Sequence, residues 1–221
     1  MFLFPSDTGM DVLQEPLIVK VTPDIIPQLN TIDLKQGDLI LQNGHCGPLC
    51  EAINTVTPAI YGRHFSHIGI VAKRDEEWTV IEATYPKVVE VPLSDFLKKS
   101  KESHWVGRLT DEYNALHEAA ISFAREQIGL PYDLDYIYNN GAYYCSELVH
   151  DAYQYANQHE PIFPLYPMTF KAPGSDEFFE NWVLFYEERG IDIPEGEPGC
   201  NPGGLANFSD LIIFELVEEG K

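Results

Sequence analysis

Two segments of alternating polarity, joined by a short charged stretch, constrain the fold of this chain more than any other feature of its sequence. In Ser66–Ala72 the isoleucines occupy one face, while His67, Gly69 and a valine occupy the other, and Trp78–Ala83 alternates in the same way. This period of two is typical of half-buried strands. The intervening Lys73–Glu77 is short and charged, as a hairpin connection usually is. The sequence therefore predicts an antiparallel β-hairpin.

The order of the other predicted elements favours an α+β fold. Strands come first, helices follow and one strand returns near the end, which differs from the alternation of a βαβ chain. The predicted strands are Leu39–Gln42, Val88–Val91, His104–Leu109 and Leu211–Leu216. The predicted helices are Glu51–Thr57, a helix from the N-cap Thr110 to Gly129, Cys145–Asn157, and Asp176–Arg189 capped by Ser175 and ended by Gly190.

Length and charge limit the function classes. The chain has 221 residues, enough for one large domain. We expect residues 1–36, interrupted by prolines, to form an irregular lead-in and residues 37–221 to form a single domain. Lys and Arg number 14 against 35 Asp and Glu, a net charge of −21. So acidic a surface repels phosphate backbones, so nucleic acid is not an expected partner, and amine-bearing ligands are tolerated.

Two kinds of segment bear on localisation: membrane-spanning runs and N-terminal targeting sequences. No run approaches the ~18 apolar residues of a transmembrane helix, so stable membrane insertion is not expected. The apolar stretch in Met1–Asp7 is short and has no basic residue before it, unlike a signal peptide. We expect a cytoplasmic protein, or a periplasmic or secreted one if a leader has been removed. The sequence leaves the oligomeric state open.

Cys145 is the cysteine whose surroundings point to chemistry. It follows the loop Gly141–Tyr144 and begins a predicted helix. A thiol at a helix N-terminus lies at the positive end of the helix dipole, which favours the thiolate. The unpaired N–H groups there could also hold an oxyanion beside the sulfur. The alternative is a small buried hydrophobic side chain, which many cysteines are.

His67 is the histidine best suited to act as a base for that thiol. If the hairpin turn centres on Arg74 and Asp75, paired residue numbers sum to 149, and His67 faces Glu82. Directly opposite side chains share a sheet face with Cβ atoms about 5 Å apart, so the carboxylate could fix the imidazole tautomer. Cys145, His67 and Glu82 then form a candidate nucleophile, base and orienter. The alternative is an incidental cross-strand pair, which a one-residue slip would separate.

Five short motifs in a fixed order resemble those of one protein family. They are Gly37-Asp38-Leu39-Ile40, Ser66-His67-Ile68-Gly69-Ile70-Val71, Val80-Ile81-Glu82-Ala83, Pro131-Tyr132-Asp133 and Tyr144-Cys145-Ser146-Glu147-Leu148, with Asn201-Pro202-Gly203 in a late loop. Together they resemble the YaeF/YiiX-like branch of the NlpC-type papain-like superfamily, from about Gly37 to Leu216. The resemblance implies a circularly permuted papain-like core, a small antiparallel β-barrel or sheet followed by helices.

The resemblance also implies a site and an activity. It assigns the nucleophile to Cys145, the base to His67 and the third polar residue to Glu82. Tyr144, Ser146 and Gln42 are the secondary candidates for contacts with the oxyanion or the substrate. The implied enzyme is a cysteine-dependent hydrolase or acyltransferase acting on an amide or ester of a cell-wall-type peptide or a lipid acyl group, without a cofactor.

Two alternatives stay open. The spacing of Cys46, Cys50, His64 and His67 comes close to a two-Cys, two-His zinc site and would make the chain a zinc-stabilised interaction protein. We expect no metal, because His67 begins a strand and is needed as the base, which leaves Cys46 and Cys50 as ordinary loop thiols. Cys200 is expected in a loop. The second alternative is a lipid- or peptide-binding module of the same fold without activity.

Overall fold

An open, mostly antiparallel sheet of seven strands forms the centre of the molecule in the computed structural model, which describes residues 27–44 and 47–217. Its strand order is β1-β9-β6-β2-β3-β4-β5, and the sheet does not close into a barrel. Strands β7 and β8 form a separate small pair. The strands are β1 Gln28–Asn30, β2 Leu39–Gln42, β3 His67–Arg74, β4 Glu77–Thr84, β5 Lys87–Pro92, β6 His104–Leu109, β7 Tyr166–Pro167, β8 Pro198–Gly199 and β9 Leu211–Val217.

Helices pack on both faces of this sheet. They are α1 Pro48–Val56, α2 Leu93–Leu97, α3 His117–Glu126, α4 Cys145–Ala156, α5 Glu180–Arg189 and α6 Pro202–Ala206. Helix α4 packs on β3 and β4, and α3 packs beside α4. Helices α3 and α4 bury the sheet face that carries residues such as Leu41, Ile70 and Ile81, whereas α2 places Phe96 on the other face beside Val71. The fold is the predicted α+β class, because the apolar residues of the sheet are buried by packed helices. No helix in the described ranges is long and apolar enough to cross a bilayer.

The predicted hairpin forms, but its predicted register is wrong by two residues. Val71 pairs with Val80 and Ile70 with Ile81, so paired numbers sum to 151 instead of 149. The turn is Asp75-Glu76, with φ values of 50° and 66°. Two successive positive φ values match a two-residue type I′ turn, which normally favours Asn and Gly, and this pair lacks that signal. Because side chains alternate with period two, a shift of two residues leaves every side chain on its predicted face.

The ends of the observed helices and strands differ from the prediction more than their types do. Helix α4 starts at Cys145 as predicted, and α5 ends at Gly190, which takes the left-handed conformation with φ 69°. Helix α5 begins at Glu180, four residues later than predicted, and a 3-10 helix over Asp111–Leu116 separates Thr110 from α3. The irregular lead-in prediction falls largely on residues 1–26, outside the described residues. Within the described part of it, β1 adds a parallel edge strand beside β9.

An ion pair between Asp38 and Arg108 connects the turn before β2 to β6. Arg108 on β6 donates from Nε to Asp38 Oδ1 and from Nη2 to Asp38 Oδ2, both at 2.7 Å. The same carboxylate accepts the backbone N–H of Lys35 at 2.7 Å, and Arg108 also donates to the Asp33 carbonyl. Asp38 is 2% exposed. The pair therefore holds the turn before β2 against β6.

Candidate active site

The loop before α4 is held by the buried carboxyl group of Glu147. Glu147, in the first turn of α4, accepts the backbone N–H of Asn139 at 2.8 Å and that of Tyr144 at 3.4 Å. Burial, opposed by these hydrogen bonds, raises the pKa of Glu147 to about 8. Glu147 thus satisfies backbone donors that would otherwise be unpaired at the helix N-terminus. Its contacts set where the first helical residue, Cys145, lies.

Cys145 is a free cysteine and is 5% exposed. Its Sγ lies 4.0 Å from the backbone carbonyl of Ser66, the residue immediately before His67. Helix α4 packs on β3, which brings the first residue of the helix beside the first residue of the strand. The sulfur therefore lies where two distant parts of the sequence meet.

His67 is bonded to Glu82 on the same sheet face. The distance from His67 Nε2 to Glu82 Oε2 is 2.5 Å. Glu82 is fully buried, while the His67 side chain keeps 14% of its surface exposed. Because Nε2 is engaged by Glu82, Nδ1 is the nitrogen available to Cys145. The ring of Phe96 stacks on the imidazole with centroids 5.6 Å apart.

Gly69 permits this pairing. A Cβ atom at Gly69 would meet Val80 Cγ1 at 2.5 Å and the Ile81 carbonyl at 3.0 Å, and it would lie 3.3 Å from Glu82 Cβ. Only glycine lets the two strands stay this close beneath the carboxylate. The space above Gly69 is therefore filled by β4 and by the Glu82 side chain that contacts His67.

The electrostatics of the pair favour a charged imidazole. Burial alone lowers the pKa of His67, but hydrogen bonds to Cys145 and Glu82 and their negative charges outweigh burial and raise the pKa to about 9. Burial raises the pKa of Glu82, and the hydrogen bond and charge of His67 with those of Lys99 bring it below its usual value. At neutral pH the arrangement holds the His67 imidazolium between the Glu82 carboxylate and the Cys145 sulfur.

The secondary candidates lie around this centre with their side chains engaged in different ways. The Cys200 N–H donates to Tyr144 Oη at 3.2 Å, and Ser146 Oγ donates to the Cys200 carbonyl at 3.0 Å. Gln42 pairs with His67 between β2 and β3, and its buried Oε1 has no hydrogen-bond partner within the described residues. Their contact with an oxyanion or a substrate stays a prediction.

Sequence reasoning missed two contacts of the site. Lys99 Nζ donates to Glu82 Oε1, from a lysine that follows the unpredicted helix α2. Burial and then the charges of Tyr136 and Cys145 raise the pKa of Tyr132, so this phenol lies in the electrostatic reach of the thiol. Tyr132 was visible as part of a motif. Nothing in the local sequence distinguishes Lys99 from the neighbouring Lys98.

The alternative zinc site is not assembled by the described residues. Cys50 lies in α1 and is disulfide-bonded, so the prediction that it is an ordinary loop thiol is wrong. Cys46 lies outside the described residues. His67 uses Nε2 for Glu82. Within residues 27–44 and 47–217, no three His, Cys, Asp or Glu side chains are grouped as a metal site would require.

Comparison with known proteins adds a family and a fold. Residues 33–208 match the family model described as permuted papain-like amidase enzyme, YaeF/YiiX, C92 family. The fold is similar to a crystal structure titled as the metalloprotein yiiX from Escherichia coli O157:H7, with a TM-score of 0.67 and 23% sequence identity. The similarity covers 86% of this chain and 97% of that chain. No curated protein matches the chain.

Proposed function

Because this chain belongs to the permuted papain-like amidase family of YaeF and YiiX, we propose that it cleaves or exchanges an amide or ester bond with Cys145 as nucleophile, His67 as base and Glu82 as orienter. The main support for this proposal is that Cys145, His67 and Glu82 lie close together in the structure. The Cys145 thiol lies against the residue before His67, and Glu82 holds the far nitrogen of that histidine. A buried cysteine with only a packing role needs neither partner.

In the proposed reaction His67 Nδ1 takes the thiol proton and Cys145 Sγ attacks the carbonyl carbon. A backbone N–H at the start of α4 stabilises the oxyanion. As the carbon–nitrogen or carbon–oxygen bond breaks, the imidazolium returns its proton to the leaving group, which leaves a thioester on Cys145. Water or an amine then attacks the thioester, gives a proton to His67 and releases the acyl group and the free thiol. Glu82 keeps the imidazole oriented throughout.

The similar structure from E. coli is titled a metalloprotein, so a metal must be tested against this chain's residues. His67 and Glu82 are bonded to each other, and Glu82 also accepts from Lys99. In the part of the chain that the structure describes, they are not part of any group of three metal-type ligands, even with Cys145 nearby. A cation beside the ammonium group of Lys99 would be repelled. These residues do not fit a metal, and no step of the reaction is derived through one.

We expect Cys145 to be alkylated by iodoacetamide at pH 7 at least about a hundredfold faster than Cys200. Both are free, and Cys200 is 3% exposed, so access alone does not separate them. Burial raises the pKa of Cys200, whereas Cys145 has an imidazolium beside it. Mass-spectrometric mapping of the modified cysteine gives the rates, after Cys50 is confirmed to be unreactive without reductant.

The same preparation decides between an enzyme and a binding module. Aminomethylcoumarin amides of short peptides and of fatty acids give fluorescence only on cleavage, and Cys145→Ala supplies the background. Turnover of either series supports the proposal and identifies the substrate class. Equal alkylation of Cys145 and Cys200, together with no turnover of any amide, would favour the non-catalytic module.

Turnover of a coumarin amide is expected to decline as pH rises through about 9. The amine leaving group needs the proton that His67 carries, and the pKa of His67 is raised to about 9. Glu82→Gln removes a negative charge that raises this pKa, so the decline should occur at lower pH. Glu77→Gln, an exposed position on the same strand, is the matched control and should leave the profile unchanged. A decline at the same pH in wild type and Glu82→Gln would contradict the assigned role of Glu82.

A further inference from the structure

Helix α2 and the residues that follow it contact the His67–Glu82 pair. Phe96, at 0% exposure, stacks on the His67 ring, and Lys99 donates to Glu82. The backbone N–H of Lys99 donates to the Phe96 carbonyl at 3.0 Å, and the hydroxyl of Ser100 donates to the Asn43 carbonyl at 2.7 Å. These bonds hold the residues after α2 in place. Phe96 of α2 and Lys99 after it thus contact both members of the His67–Glu82 pair.

Glu82 is consequently shared between two cations. Its Oε2 faces His67 Nε2, and its Oε1 accepts from Lys99 Nζ. The ionisable groups that face Glu82 are His67 from β3 and Lys99 from the segment after α2, while Cys145 from α4 faces His67. A carboxylate at 0% exposure has no water to stabilise its charge, so these two contacts must do so.

We propose that Lys99 is a positioning residue that holds Glu82 and shares its charge, so that His67 can both keep a proton for the leaving group and later release it. This inference rests on the proposed thiol chemistry. If His67 were the only cation beside Glu82, loss of the His67 proton would leave the buried Glu82 carboxylate without a charged partner. His67 would then keep its proton to higher pH and serve poorly as the base that activates water. Lys99 leaves Glu82 with a partner after His67 is deprotonated.

The neighbouring lysine provides a matched control. Lys98 is 74% exposed and pairs with Asp95, which is 53% exposed, at 2.7 Å. It has the same charge and side chain as Lys99 and the adjacent position, but it does not contact the site. A surface pair of this kind contributes little to stability. Lys98→Met should therefore behave as wild type.

The experiment titrates the His67 imidazole by NMR in wild type, Lys99→Met, Lys99→Arg and Lys98→Met, with His67→Ala used to assign the resonance. Lys99→Met is expected to raise the titration midpoint by about 1 pH unit, because a cation near the pair has been removed. Lys99→Arg should restore the wild-type midpoint. If Lys99 had only a packing role, Lys99→Met would lower the His67 midpoint, because a less well positioned Glu82 would stabilise the imidazolium less. An unchanged or lowered midpoint in Lys99→Met, or a midpoint in Lys99→Arg equal to that of Lys99→Met, overturns the proposal.

Turnover supplies the second measurement. A shift of one unit leaves about one-tenth as much neutral His67 at pH 7, so release of the acyl group should slow about tenfold, whereas alkylation of Cys145 should not slow. If wild type cleaves no amide, the proposed function fails, but the titration still decides the role of Lys99. Thermal unfolding verifies that each variant is folded. If Lys99→Met does not fold, Lys99→Gln, which keeps a donor without the charge, replaces it with the same expected shift.

Discussion

Replacing His67 with alanine is expected to lower the rate of Cys145 acylation at pH 7 by about 10²–10⁴-fold, the usual contribution of a positioned general base. In the proposed reaction the imidazole receives the thiol proton on one side, and Glu82 holds it at 2.5 Å on the other. Its removal also leaves Glu82 with Lys99 as its remaining cation. The measurement is single-turnover formation of the thioester, detected as a mass increase on Cys145 with the acyl amides that wild type cleaves.

His64 provides the control for this substitution. It lies three positions earlier, is exposed, and has no resolved contact with the site. His64→Ala should acylate at the wild-type rate, and circular dichroism should show both variants to be folded. Equal rates for His67→Ala and wild type would remove the histidine from the mechanism. A fall of similar size in His64→Ala would indicate a general effect of substitution near β3.

Replacing Asp38 with asparagine is expected to lower the free energy of unfolding by about 3 kcal/mol, at the low end of the cost of breaking a buried ion pair from one side. Arg108 would lose the two oxygens that it binds at 2.7 Å while its guanidinium stays only 18% exposed. The asparagine amide keeps one acceptor oxygen in place of two, and it carries no charge. Urea unfolding at pH 7 measures the difference.

Asp95→Asn is the matched control for this second prediction. Asp95 also pairs with a cation, Lys98, but both side chains are mostly exposed. Water solvates their charges, so the expected loss is below about 1 kcal/mol. Equal losses for the two substitutions would show that the Asp38–Arg108 pair is no stronger than a surface pair. Labelling of Cys145 in folded Asp38→Asn should be unchanged, because neither Asp38 nor Arg108 contacts the site.

The local patterns of the sequence predicted the sheet face of His67 and Glu82 and the helix start at Cys145. Period-two alternation assigned His67 and Glu82 to the same sheet face, and that assignment survived an error of two residues in register because the period is itself two. The Gly-containing loop before a helical stretch predicted that Cys145 begins α4. Each of these signals acts between residues within one strand or one helical turn, where backbone geometry alone dictates neighbours.

Only the tertiary structure decided which pieces meet. Cys145 reaches the carbonyl of Ser66 across 79 positions, and Asp38 reaches Arg108 across 70. Lys99 joins Glu82 from a segment whose sequence resembles any exposed turn. Such contacts depend on how the helices pack on the sheet and on which strands are neighbours, and no short sequence pattern encodes that choice. The residue types and their faces were determined locally by the sequence, whereas the electrostatic partners of the histidine and its carboxylate were determined by packing.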